Sequence, residues 1–324
     1  MHDFNKIKLS LHPHWEAFEN LFKTALSSSD TLISTIDAYL LNRPGKQLRP
    51  VLAILSAYVC GTPGPLTHAV AAVAEMLHTA SLLHDDVADN ADTRRGGWSV
   101  QKLFGAQASI LLGDFWFARA FQLLLDYEGR DLLPLYAEAI RGLSEGELFQ
   151  MEKAQTLDIN CEEYYNICAA KTVSLFKAAM VSGTLSIPEK EAARHAVPVI
   201  EQIAYHMGMA FQIRDDMLDY RPEISSGKPA YIDISESKIT LPLLGALEQA
   251  GDKKNRPLVA EWIRQTVAGS NLALQQIIQF VDTYKGMEYA HRICRQHTDK
   301  ADELINRLPP SEWRDYLLQI SDTL

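Results

Sequence analysis

The chain is poor in the features that mark several broad classes of protein. Lys and Arg number 31 against 41 Asp and Glu, a formal net charge of −10. Phosphate backbones are bound through Lys and Arg, so no nucleic-acid partner is expected. There are only four cysteines, Cys60, Cys161, Cys168 and Cys294. None stands in a Cys-x-x-Cys spacing, and they are expected as small buried thiols in a reducing compartment. The start, Met-His-Asp-Phe-Asn-Lys, lacks the charged-then-apolar layout of a signal peptide, and a cytoplasmic location is expected. Long hydrophobic runs are scarce. Leu66 to Leu83 carries one formal charge, Glu75, together with His68, His78, Thr67, Thr79 and Ser81. It suits a buried core helix better than a membrane span, so an integral membrane protein is not expected. No alternation of β-branched residues persists. No Ser-His-Asp grouping, nucleophilic-cysteine signature, Walker motif or dinucleotide glycine pattern occurs.

What is present is apolar residues at helical spacing almost throughout, in a chain that is 47% hydrophobic. Gly and Pro clusters at 42–50, 60–65, 96–97, 220–231 and 308–310 punctuate it. Between them the pattern predicts helices over about 13–41, 47–60, 66–90, 106–127, 131–155, 161–184, 190–220 and 237–250, with shorter ones to 322. Asn160 with Glu163 forms a capping-box pattern opening the 161–184 helix, and Ser311 or Pro310 opens the last one. No stretch resembles an interdomain linker. Residues 1–324 are expected to form one all-α domain, an antiparallel helix bundle around a central cavity of the kind in which bundles place metal sites.

Two copies of Asp-Asp-x-x-Asp stand far apart in the chain, Asp85-Asp86-Val87-Ala88-Asp89 and Asp215-Asp216-Met217-Leu218-Asp219. Each ends an apolar helical stretch. Positions i and i+4 share a helix face, so Asp85 pairs with Asp89 and Asp215 with Asp219. Two such faces turned together make an oxygen-only cage, and magnesium binds through one or two carboxylates plus substrate phosphates. Acidic groups at a helix C-terminus oppose the macrodipole, which a bound cation relieves. Arg94 and Arg95, just beyond the first motif, are placed to grip phosphate oxygens. Lys171 falls on the apolar stripe Tyr164, Ile167, Cys168, Lys171, Leu175, where a cation needs an anion. Lys228 and Lys238 flank the loop after the second motif. Gly45-Lys46-Gln47-Leu48-Arg49-Pro50 puts two cations at a helix start, where anions are attracted. With Arg95 and His78 these form a candidate metal-free phosphate site.

Taken together, Gly45-Lys46-x-x-Arg49-Pro50, His84-Asp85-Asp86-x-x-Asp89-x-x-x-x-Arg94-Arg95-Gly96, Gly113-Asp114, Gly146-Glu147, Lys171-Thr172 and Phe211-Gln212-x-x-Asp215-Asp216-x-x-Asp219 resemble the trans-isoprenyl diphosphate synthases, or polyprenyl synthetases. The resemblance implies the all-α isoprenoid synthase fold, a homodimer, and elongation of an allylic diphosphate with isopentenyl diphosphate. It implies that Asp85, Asp89 and Asp215, with Asp86 and Asp219 supporting, hold about three magnesium ions on the allylic diphosphate, and that Asp85, Asp86, Asp89, Arg94, Lys171, Asp215, Asp216 and Lys228 form the catalytic set. Arg94, Lys171, Gln212, Lys228 and Lys238 would contact that diphosphate, with Thr172 beside it. Gly45, Lys46, Arg49, His78 and Arg95 would hold isopentenyl diphosphate. The chain departs from the family pattern after the second motif, where Tyr231 and Ser237 stand in place of two glycines, which predicts a stiffer loop.

Such a reaction makes a carbocation without water, needs no side-chain general base, and relies on apolar walls. One helical turn rises about 5.4 Å, close to one isoprene unit. Ala80 and Ser81, one turn before Asp85, would form the floor for short products, and both are small. A deep tunnel and a product of roughly six to ten units, about C30–C50, are expected by this geometry, with Trp116, Phe117 and Phe121 as candidate deeper plugs. A product this long could be handed to a membrane. A short-chain farnesyl or geranylgeranyl synthase is the nearest alternative. A terpene cyclase usually lacks cations such as Lys46, Arg49 and Arg95, and a non-catalytic subunit typically degrades one aspartate motif, whereas both are intact.

Overall fold

The computed structural model describes residues 2–221 and 231–324. The elements run α1 His2–Ser10, α2 His14–Leu26, α3 Thr31–Leu41, α4 Leu48–Cys60, α5 Pro65–Ala88, a hairpin of β1 Thr93–Arg94 and β2 Gly97–Trp98, α6 Val100–Phe104, α7 Ala106–Asp126 and α8 Leu133–Thr156. There follow α9 Cys161–Cys168, α10 Ser174–Leu185, α11 Lys190–Asp219, α12 Ile232–Ser235, α13 Leu241–Ala250, α14 Asp252–Val267, α15 Asn271–Thr283, α16 Gly286–Ile305 and α17 Glu312–Thr323. The all-α expectation holds, and the chain divides into two compact units.

The first unit comprises 1–140, 175–202 and 305–320. Its spine is α5, started by Pro65 and by the Gly64 N–H donating to Thr67 Oγ1 at 3.0 Å. The helix is apolar on nearly every side because α2, α4 and α7 all pack on it. Its length and hydropathy also satisfy a membrane span, yet 78% of its most apolar window is buried in the protein. The approach of α7 is close. A Cβ on Gly113 would lie 3.2 Å from the Ala80 carbonyl and closer still to the His84 ring, so glycine is what the contact permits. The second unit comprises 141–174, 203–304 and 321–324. Its core gathers Ile167, Met209, Ile213, Leu244, Ile263 and Ile277.

Four local features differ from the expected pattern. Residues 13–41 are not one helix. Asp30 Oδ1 accepts from the Leu32 and Ile33 N–H groups at 2.9 and 3.0 Å, so the Ser27-Ser28-Ser29-Asp30 run offers the backbone a cap that outcompetes helix continuation. The 161–184 segment is interrupted by a π-helical turn over Ala169–Val173. An additional helix, α1, precedes the first expected one. The β hairpin turns on Arg95 (φ 51°) and Gly96 (φ 73°), the paired positive φ angles of a two-residue hairpin turn. The capping box is as expected, with Asn160 N–H donating to Glu163 and Glu163 N–H to Asn160 Oδ1 at 2.9 and 3.0 Å. Ser311 Oγ accepts from the Arg314 N–H at the start of α17.

Candidate active site

The two acidic motifs share an internal logic. At the end of α5, Asp85 is half-buried, Asp89 is exposed, and Asp86 is 2% exposed. Asp86 Oδ1 accepts from Arg94 Nε at 2.7 Å and from Nη2 at 2.5 Å. Burial pushes the Asp86 carboxyl up and Arg94 pulls it back. At the end of α11, Asp215 is exposed and Asp216 is 6% exposed. Asp216 accepts from Tyr164 Oη at 2.5 Å and Gln212 Nε2 at 2.7 Å. Burial raises Asp216 as well, and the two donors oppose that. In both motifs, therefore, the second aspartate is a buried strut and the first is the more accessible of the two. Asp219 is used differently again. Its two carboxylate oxygens accept from the Ile232 and Asp233 N–H groups at 2.9 and 3.1 Å, and its carbonyl accepts from Tyr231 N–H. It caps α12, the short helix at which the described chain resumes.

Around the first motif, the hairpin sends its two arginines to different partners. Arg94 goes to Asp86, and Arg95 goes to Glu75, with Nη2 3.9 Å from Oε1. The Arg95 guanidinium also lies against Gly45, where a Cβ would come within 2.9 Å of it. Gly96 supplies the second positive φ that this reversal needs. Arg49 is buried at the start of α4, its guanidinium 5.2 Å from the Phe176 ring centroid, and burial lowers its pKa to about 10. His78 is held well below its ordinary pKa by burial and by Arg49, Arg95 and Arg94, so its imidazole is neutral. Lys46 is exposed on the turn before α4. Ala80 and Ser81 are buried, and Ser81 Oγ donates to the His78 carbonyl. Thr79, on the same turn, lines two cavities.

Around the second motif, Lys171 and Thr172 sit in the π turn, a distortion that re-aims side chains and is frequent at functional sites. Lys171 Nζ pairs with Glu147 and donates to Gln150 Oε1. Thr172 Oγ1 donates to Gln212 Oε1 at 2.5 Å, so Thr172, Gln212, Asp216 and Tyr164 form one hydrogen-bonded chain. Gly146 permits this packing, since a Cβ there would lie 2.8 Å from Ala170 Cβ and 3.0 Å from Lys171 Cγ. Lys238 Nζ donates to Glu236 Oε2 at 2.7 Å. Tyr231 and Ser237 have φ of 62° and 61°, so both non-glycine residues keep a backbone shape that glycine adopts without cost. Lys228 lies outside the described residues.

Sequence reasoning gave no role to Glu75, Tyr164 or Gln150. A lone charge in an otherwise apolar helix is itself a signal that a counter-charge is near. Gln150 follows Glu147 by one helical turn on α8, so the two share a face.

A helical chain with a carboxylate-bearing helix end in each unit, Arg94 paired at one and Lys171 near the other, has the isoprenoid synthase fold. A family model described as Polyprenyl synthetase matches residues 30–281. The octaprenyl diphosphate synthase of Haemophilus influenzae is 34% identical over 297 residues, 91% of this chain and 88% of that protein. Among solved structures, a decaprenyl diphosphate synthase from Rhodobacter capsulatus is similar with a TM-score of 0.89 at 30% identity, covering 99% of this chain and 98% of that one. A polyprenyl synthase from Caulobacter crescentus CB15, complexed with calcium and isoprenyl diphosphate, has a TM-score of 0.88 at 28% identity, covering 98% and 96%. The chain belongs to the polyprenyl synthetase family and is a prenyltransferase.

Proposed function

We propose that this protein, as a single catalytic domain over 1–324, condenses isopentenyl diphosphate head-to-tail with an allylic diphosphate and makes a long trans-polyprenyl diphosphate, about C30–C50 by the turn-per-unit geometry. The observation that carries the site assignment is the more accessible first aspartate of each motif beside its buried, hydrogen-bonded second aspartate. The oxygen-only donor set of Asp85, Asp89 and Asp215 suits a hard divalent cation. We assign these three to about three magnesium ions, with Asp86, Asp216 and Asp219 fixing the helix ends that present them. Magnesium, when bound, neutralises the leaving diphosphate so that the allylic C–O bond can ionise.

The chain's own residues do the rest. Arg94, Lys171, Gln212, Lys228 and Lys238, with Thr172 alongside, orient the allylic diphosphate. Gly45, Lys46, Arg49, His78 and Arg95 hold isopentenyl diphosphate so that its double bond meets the allylic C1, an orientation effect. The new C–C bond forms, a proton passes to the departing diphosphate, and apolar walls keep water from the cation. Buried Ala80 and Ser81 leave the first turn below Asp85 without a bulky side chain.

A homodimer is proposed on the family resemblance, and the adjacent Ile110 and Leu111 of α7, 42% and 58% exposed, are the apolar side chains that such an interface could cover. The four cysteines are free thiols, in keeping with a reducing cytoplasm.

The test is incubation of the purified protein with labelled isopentenyl diphosphate, farnesyl diphosphate and magnesium, followed by dephosphorylation and chromatography. A ladder ending at a long polyprenol is expected. A single farnesyl- or geranylgeranyl-length product refutes the chain-length reading, and no incorporation with any primer refutes the activity.

A further inference from the structure

A cluster of unlike charges in the first unit is left incomplete by the site as described. Glu75 is 3% exposed, and its Oε2 is buried without a hydrogen-bond partner. Three cations act on it electrostatically: Arg95, Arg49 and Lys8. Arg49 is 8% exposed, and its Nε is buried and equally unpartnered. Glu75 and Arg95 line a cavity of about 120 Å³ together with Glu19, Lys23 and Gln47 on its polar side and Trp116 on its apolar side.

Lys8 comes from α1, outside the 30–281 span of the family model. It is half-buried, and its Nζ donates to Gln47 Oε1 at 3.0 Å. Gln47 belongs to the same Gly45-Lys46-Gln47 turn that opens α4 and takes a left-handed conformation there (φ 55°). The ammonium lies 4.7 Å from the Trp15 ring centroid and 5.5 Å from that of Phe4. Aromatic faces fix a cation's position and do not neutralise it, and the amide of Gln47 is neutral as well. Burial lowers the Lys8 pKa, while Glu75 and Glu19 oppose that. Lys8, Arg49 and Arg95 are three positive charges set against the carboxylates of Glu75 and Glu19, so the cluster keeps a surplus of one. A buried or half-buried cation in surplus requires an anion, and N–H donors gathered around one carboxylate suit phosphate oxygens.

We propose that Lys8, carried by the N-terminal helix, is a binding residue for the diphosphate of isopentenyl diphosphate, joining Arg49 and Arg95 around the buried carboxylate of Glu75. The inference rests on the reading of Arg49 and Arg95 as the isopentenyl diphosphate site. Glu75 acts as a positioning residue. It keeps three cations convergent before the anion arrives, and the buried, unpartnered Nε of Arg49 is a donor that the protein itself leaves without an acceptor. The helix α1 is thereby part of substrate recognition.

The experiment is calorimetric binding of isopentenyl diphosphate to the full chain in EDTA, which removes any metal-dependent diphosphate site. Wild type, Lys8→Gln, Lys8→Arg, Lys8→Glu and Arg95→Gln are compared, with thermal unfolding of each. Loss of one charged hydrogen bond predicts about tenfold weaker binding for Lys8→Gln. Near-wild-type binding is expected for Lys8→Arg, and a larger loss for Lys8→Glu. In turnover, Lys8→Gln raises KM for isopentenyl diphosphate and leaves KM for the allylic primer unchanged. If Lys8→Gln and Lys8→Glu bind as tightly as wild type while Arg95→Gln has lost binding, Lys8 is only a strut between α1 and Gln47 and the inference is overturned. If wild type itself binds no isopentenyl diphosphate without metal, the assignment of Arg49 and Arg95 fails, and the inference falls with it.

Discussion

Removal of one oxygen atom, in Tyr164→Phe, tests whether the buried second aspartate of the α11 motif is the strut that the geometry makes it. Tyr164 is 4% exposed and its hydroxyl donates to Asp216 Oδ2 at 2.5 Å. The ring of phenylalanine fills the same space, so no cavity opens and the loss is electrostatic. A hydrogen bond to an ionised acceptor contributes about 1.5–3 kcal/mol. Here Oδ2 is left buried while Oδ1 keeps only Gln212, so a destabilisation of about 2 kcal/mol is expected. Burial already raises the Asp216 carboxyl, and Tyr164 is one of the donors opposing that rise. Without the donor the carboxyl protonates more readily, and a protonated acid needs the donor less. The loss should therefore be larger at pH 8 than at pH 6. Urea denaturation at both pH values measures it, with an unchanged slope showing that the denatured state is the same. Because Tyr164 and Gln212 share one carboxylate, a double-mutant cycle with Gln212→Leu should give a coupling of about 1 kcal/mol. Magnesium titration of activity should show a raised half-saturating concentration, since Asp215 is presented by the same helix turn. A Tyr164→Phe protein within about 0.5 kcal/mol of wild type at pH 8, with an unaltered magnesium requirement, refutes the strut.

Ala80→Phe places a large ring one turn before Asp85, at a fully buried position against α7. Overpacking should cost about 1–3 kcal/mol, and chromatography of the products should show termination at shorter chains; an unchanged ladder would put the floor elsewhere. The imidazoles of His206 and His297 lie 2.9 Å apart, Nδ1 to Nδ1. Burial and the neighbouring ring lower His297 to about 4, and burial together with Lys300 lowers His206. These folded-state values lie below the ordinary 6.5, so the unfolded chain takes up protons first. Stability that is complete above about pH 6.5 is lost as pH falls toward 4. Allowing for the partial exposure of the pair, His297 contributes on the order of 1–2 kcal/mol to that loss. His297→Asn should flatten the dependence of the urea midpoint between pH 7 and pH 5, and a slope equal to wild type would count against the pair.

Much of the site could be read along the chain because its key relations are local. The i, i+4 spacing puts Asp85 with Asp89 on one face whatever else the protein does. The apolar content of 66–83 demands burial, and the Asn160 and Glu163 pair caps α9 across three residues. The same is true of the Ser-rich break at 27–30, whose capping signal stands in the sequence although helical spacing alone runs through it.

Tertiary structure decided which copy of each repeated residue type does what. Nothing in the Asp-Asp pairs distinguishes the buried from the more accessible carboxylate. Arg94 reaches Asp86 only because the Arg95-Gly96 turn reverses the chain, and Tyr164 reaches Asp216 from 52 residues away. The π turn under Lys171 depends on α8 approaching at Gly146, and Lys8 meets Gln47 across 39 residues. Sequence by itself determined the helices, the acidic faces and the supply of cations, since these depend on spacing within a few turns. Burial, charge pairing and cavity shape depend on contacts between distant segments, and so only the folded chain determined which aspartates are struts and which cations converge.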